Sequence, residues 1–138
     1  MRTHLEFSST SFPIVKGEEE ETNEGIFGKS LALFIAKELQ QNGYATSVAA
    51  EDWGWMVELT PNQESLKFSP WVGCSNLDKD QWLVQIHPST PYVRKFFNKI
   101  DVQPTIAQIA NLFEQALVKG AAVTNLRWWS DTESGRKG

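Results

Sequence analysis

The sequence predicts an α+β fold: a two-layer sandwich in which an antiparallel meander sheet carries two helices on one face. Three observations point there. Four strand-like runs follow one another with short, turn-rich connections, two further segments carry single apolar stripes at helical spacing, and 138 residues with 41% hydrophobic content suit one core. A single domain spanning 1–138 is expected.

The elements follow in order. Thr3–Ser8 alternates, with Leu5 and Phe7 on one face, and reads as a first strand. Residues 9–24 read as an acidic loop broken by Pro13 and Gly17. A helix is predicted from Gly25 to Asn42, because Phe27, Leu31, Phe34, Ile35 and Leu39 share a stripe and Gly43 offers a left-handed stop. The four strand runs are Tyr44–Ala50, Trp53–Thr60, Leu66–Gly73 and Gln81–His87, with turn chemistry at Pro61-Asn62 and Ser75–Asp80. Pro70 lacks a ladder donor, so the third run should bulge or lie partly at an edge. A second helix is expected from the Thr105-Ile-Ala-Gln108 capping box to Gly120. Val123–Ser130 can form a last strand, and residues 131–138 read as a flexible tail.

Period-2 alternation then assigns faces. Trp53, Trp55, Val57 and Leu59 share one parity with Phe68 and Val72, and with Trp82, Val84 and Ile86. Matching the apolar sets pairs Val57 with Phe68 and Phe68 with Ile86, so Trp53, Trp55 and Trp82 fall on the helix-covered side. The open face then carries rows Glu58–Lys67–His87, Met56–Ser69–Gln85 and Gly54–Trp71–Leu83. Trp71, Met56 and Leu83 make an apolar cluster on a face that water usually claims, so it should be covered, either by a partner chain or by Val123–Trp129 or residues 88–103 of the same chain.

Catalytic constellations are thin. Cys74 is the sole thiol, and in this register it lies six strand residues from His87, roughly 20 Å at about 3.3 Å per residue, on the opposite face. An enzyme would instead have to centre on His87 with Glu58. No Cys/His spacing suits a metal, Gly25-Ile-Phe-Gly28 does not make a phosphate loop, and no cofactor is implied. No catalytic residue is assigned.

The net charge of -4 is concentrated. Residues 1–24 hold six acids and two bases, whereas 25–138 hold eleven of each. A neutral body has no electrostatic footprint for nucleic acid, and the one locally basic stretch, Pro88–Lys99, reads as a short amphipathic turn or helix capping the sheet. Glu19 and Glu20 in the acidic run, with Glu51 and Asp52 at the strand turn, could steer a basic protein. No apolar leader and no run of roughly 18 apolar residues is present, so a cytoplasmic protein without a membrane segment is expected.

Six tryptophans are the strongest compositional signal. The adjacent pair Trp128-Trp129 should place one ring inward and one outward. The segment running from the first helix through Asn42-Gly43-Tyr44 to Asp52-Trp53-Gly54-Trp55, roughly residues 25–60, resembles small bacterial α+β proteins of unassigned function. Some of those are encoded beside secreted toxins and taken to be immunity proteins. The resemblance implies a cytoplasmic protein that works by binding and carries over no catalytic residue. The expected function is therefore a non-enzymatic protein-binding module of the toxin-neutralising kind, using the acidic loop and the open-face patch. Two alternatives stand beside it: a small-ligand domain with a pocket lined by Trp53, Trp55 and Trp82, and a homodimer formed through the open face.

Overall fold

A computed structural model describes residues 3–60, 70–87 and 103–129. The elements are β1 (His4–Ser8), α1 (Glu18–Glu21), α2 (Lys29–Gln41), β2 (Ala45–Glu51), β3 (Gly54–Thr60), β4 (Trp71–Asp78), β5 (Gln81–His87), α3 (Gln103–Gly120) and β6 (Thr124–Trp129). The six strands form one antiparallel sheet in the order β2-β3-β4-β5-β1-β6. Strands β2 to β5 are the expected meander, and β1 inserts between β5 and β6.

Both long helices pack on one face. Leu31, Ile35 and Leu39 of α2, and Ile106, Ile109 and Phe113 of α3, are fully buried in one cluster with Leu5, Val57, Val72, Val84 and Ile86 of the sheet. All five sheet residues share the inward parity set by the ladder registers. Each such side chain contributes on the order of 1.5–3 kcal/mol through burial. Two-layer α+β is thus the architecture.

Helix α2 ends as the sequence predicts. Gly43 takes a φ of 90°, its N–H donates to the Gln40 carbonyl, and the Tyr44 N–H donates to that of Leu39. These are the paired bonds of a Schellman stop, which a Cβ at the left-handed position would disfavour.

Several expectations need correction. Helix α2 starts at Lys29 rather than Gly25, because residues 22–28 are held by side chains: Thr22 Oγ1 donates to the Ile26 carbonyl and Asn76 Oδ1 accepts from Phe27 N–H. Residues 18–21 of the acidic loop form a helical turn. Helix α3 begins at Gln103, ahead of the capping box, and runs through Gly120, with the positive φ falling at Ala122.

The largest correction concerns the third strand run. Strand β4 covers Trp71–Asp78, the β4–β5 turn shrinks to Lys79-Asp80, and residues 66–69 lie outside the described residues. Val57 pairs with Val72, not Phe68, and Val72 pairs with Ile86. Face parity is as expected, but the register is displaced by four residues. Asn76 explains how so polar a segment extends: on the inward parity it donates to the Gly25 carbonyl and accepts from Phe27 N–H, replacing apolar burial with loop anchoring.

Candidate functional site

The displaced register rebuilds the sheet face opposite α2 and α3, which is helix-free among the described residues. Its rows are Glu58–Trp71–His87, then Met56–Gly73–Gln85–His4–Trp129, then Ser75–Leu83–Glu6–Arg127. Trp71 stands in the row assigned to Lys67. Its ring stacks on His87 with centroids 3.8 Å apart and planes 10° apart. Trp53 lies on its other flank, 5.8 Å from Trp71 with planes at 37°.

Trp53 is not a core residue. It sits in the β2–β3 turn, outside the strict alternation, and is 39% exposed. Its ring lies over Gly73, where a Cβ would come within 2.8 Å of the indole, so a glycine at that position makes the room. A second stack closes the face: His4 and Trp129 lie 4.2 Å apart with planes at 14°. Gln85 joins the two, pairing with His4 across the ladder while its Oε1 lies 3.2 Å from His87 Nε2. Trp129 Nε1 donates to Glu6 Oε1 at 3.0 Å, and Glu6 also faces Arg127 at 3.9 Å.

The proposed cluster of Trp71, Met56 and Leu83 is therefore dispersed. Met56 is half-buried one row from Trp71, and Leu83 is buried two rows away, about 13 Å along the sheet. Glu51 is half-buried at the end of β2, and Asp52 is exposed in the turn, where its carbonyl accepts from Asn23 Nδ2. That bond ties the acidic segment to the turn that carries Trp53. Glu19 and Glu20 are exposed, and Glu19 Oε2 accepts from Gly25 N–H at 2.7 Å.

Glu18 stands apart from the rest of the acidic run. It is 1% exposed. Its Oε1 accepts from the backbone N–H groups of Gly28 and Lys29 and from Trp55 Nε1, at 3.0 to 3.1 Å, while Oε2 accepts from Val15 N–H at 2.6 Å. A carboxylate at a helix N-terminus satisfies orphan donors and complements the dipole. Glu21 pairs with Lys29 at 3.7 Å, and the Lys29 ammonium lies 5.1 Å from the Trp55 ring centroid. The clustering of four acids concealed that they do different work.

The inward face holds the other tryptophans. Trp55 and Trp82 are buried there, and Trp82 Nε1 donates to the Ser9 carbonyl. Trp128 points inward and stacks on Phe113, opposite in direction to Trp129, as adjacency requires. Cys74 pairs with Val84 on this side, while His87 lies three residues farther along β5 on the other face. The separation is shorter than the sequence register implied, yet opposite faces still keep the two apart. Burial alone pushes the Cys74 thiol well above its ordinary value, which suppresses the nucleophilic thiolate. Trp71 stands between Glu58 and His87 in their row.

A cleft of about 440 Å³ opens at the end of the sheet, walled by Phe12, Phe27 and Trp82 and edged by Ile14, Leu77 and Asp78. Of the three tryptophans expected to line a pocket, Trp82 alone reaches it; Trp53 is on the opposite face and Trp55 is packed beneath Lys29.

The sequence held the tryptophans but not their grouping. His4 and Trp129 escaped assignment because the placement of β1 beside both β5 and β6 is not written in local alternation, whereas alternation places His87 on this face but beside Lys67 rather than Trp71. Among the described residues, no group of three or more His, Cys, Asp or Glu side chains is placed to hold a metal ion, and no helix is long and apolar enough to cross a membrane. Pro88–Lys99 and the tail lie outside the described residues. Comparison with known protein families, curated proteins and solved structures finds no match to this chain.

Proposed function

We propose that this protein works by binding another protein, one with a basic surface, on the helix-free face of its sheet. The observation that carries the reading is the aromatic stack Trp53–Trp71–His87, standing on the sheet face opposite α2 and α3, where no helix packs among the described residues. Tryptophan clusters of this kind supply large contact area and dominate interface energetics. Acids border the stack: Glu58 in the Trp71 row, Glu51 and Asp52 beside Trp53, and the acidic segment tied in through Asn23. They favour encounter with a basic partner. A toxin-neutralising role in the cytoplasm, as the resemblance around Asp52-Trp53-Gly54-Trp55 implies, is the specific form of this proposal.

The test is retrieval of a partner from the native lysate, followed by reconstitution of the purified pair. Trp71→Asp should weaken binding by about thirtyfold or more, since central aromatic anchors cost at least about 2 kcal/mol. Hydrogen–deuterium exchange should show protection at 53–58, 71–75 and 83–87. Undiminished binding by Trp71→Asp, or protection confined to α2 and α3, would overturn the reading.

A second reading rests on the cleft walled by Phe12, Phe27 and Trp82, whose size suits a small apolar ligand. It calls for a change in Trp82 emission on adding a ligand that Phe27→Trp would exclude by filling the space.

A further inference from the structure

Among the described residues β2 and β6 are the two edges of the sheet, and the sequence treats them differently. Strand β6 is irregular: its register with β1 shifts between Glu6 and Ser8, Asn125 adopts a φ of 55°, and Arg127 projects from it. Bulges and charges of this kind discourage pairing with another strand. Strand β2 carries no bulge and no positive φ, and its one charge, Glu51, is its last residue. Its seven residues pair with β3 in unbroken register, and Ala45–Ala50 holds no charge, proline or glycine.

Two further features adjoin β2. Val48 lies on the inward parity opposite Val57, yet Val57 is fully buried and Val48 only half-buried, so the core is unfinished along this edge. On α2, Gln40 Nε2 donates to Thr46 Oγ1, which fixes the helix flank that overlooks β2. Leu33 stands seven residues earlier on that same flank and is 49% exposed.

We propose that β2 pairs with β2 of a second copy of this chain, in antiparallel register about Val48, extending the sheet through a two-fold dimer. The strand is self-complementary in that register. Val48 meets Val48, Ser47 meets Ala49, Thr46 meets Ala50, and Ala45 meets Glu51, so no like charges oppose. The axis stands perpendicular to the sheet and brings the two α2 flanks together, each presenting a Leu33, over the half-buried valines. The helix-free aromatic face stays open in both copies, so this contact is separate from the proposed partner surface.

Sedimentation equilibrium of the full chain across a micromolar to submillimolar dilution series tests the proposal. Wild type should approach twice the 15.6 kDa chain mass. Ser47→Lys with Ala49→Lys sets like charges opposite each other twice across the axis and should weaken self-association at least about tenfold, with an unchanged circular dichroism spectrum. Val48→Cys, tested separately, should form an intermolecular disulfide under mild oxidation, because directly opposed strand residues lie within disulfide reach. A monomer at every concentration overturns the proposal. So does a dimer that tolerates the two lysines, fails to cross-link through Val48→Cys and is dissolved by Trp71→Asp, which would place self-association on the aromatic face.

Discussion

Three tryptophans point into the helix-covered layer and three stand on the helix-free face, and different forces hold the two sets. Trp55, Trp82 and Trp128 each pack in or against the core and donate their indole N–H to a fixed acceptor: Glu18, the Ser9 carbonyl and Glu114. Buried indoles need such partners, because an unmade bond in a dry site costs about 1–3 kcal/mol. Trp53, Trp71 and Trp129 are as a group more exposed and set their ring faces against one another and two imidazoles, with Trp129 also donating to Glu6. The first arrangement secures a fold. The second leaves aromatic rings on the face away from α2 and α3, where a partner's contacts can add to them.

That contrast sets the order of expected effects. Trp82→Ala should be most damaging, about 3–5 kcal/mol in urea unfolding, through loss of packing and an orphaned Ser9 carbonyl. Trp53→Ala, at an exposed turn, should stay within about 1 kcal/mol of wild type. Equal costs would erase the distinction.

Glu18→Ala should come next, at about 3 kcal/mol, since it strands the donors of Val15, Gly28, Lys29 and Trp55 together. Glu20→Ala two residues later should be nearly silent. A pair of similar costs would mean that the acidic turn is not anchored through Glu18.

The smallest effect concerns pH. Burial raises the Cys74 thiol above its ordinary 9.0, so the folded chain keeps a proton that the unfolded chain releases. The associated stability is complete below about pH 9 and falls as pH rises beyond it, by up to about 1.4 kcal/mol per pH unit. Tyr44, raised from 10.0 by its own burial, adds to the alkaline limb at higher pH. Cys74→Ala should flatten the first part of that limb, whatever its effect on stability at neutral pH.

The helix stripes, the Gly43 stop, the parity of β1, β3, β4 and β5 and the inward position of Trp55 and Trp82 were legible in the sequence, because periodicity and turn chemistry act locally. The β4 register was not. Val72 and Phe68 satisfy the same parity, and what favours Val72 is the anchoring of Asn76 to Gly25 and Phe27, 51 and 49 residues away in sequence. Glu18 was hidden for a similar reason: a run of four glutamates looks uniform until the fold presents one of them with four N–H donors. On the candidate surface, Trp71 was assigned to the correct face and given the wrong neighbours. A turn residue obeys no alternation, which is why Trp53 was misplaced.

The most direct measurement is a urea titration of Trp71→Asp followed by far-ultraviolet circular dichroism. If the helix-free face is a working surface, the variant keeps the native spectrum and loses less than about 2 kcal/mol. An unfolded chain, or a loss matching that of Trp82→Ala, would make Trp71 part of the core and contradict the assignment of function to this face.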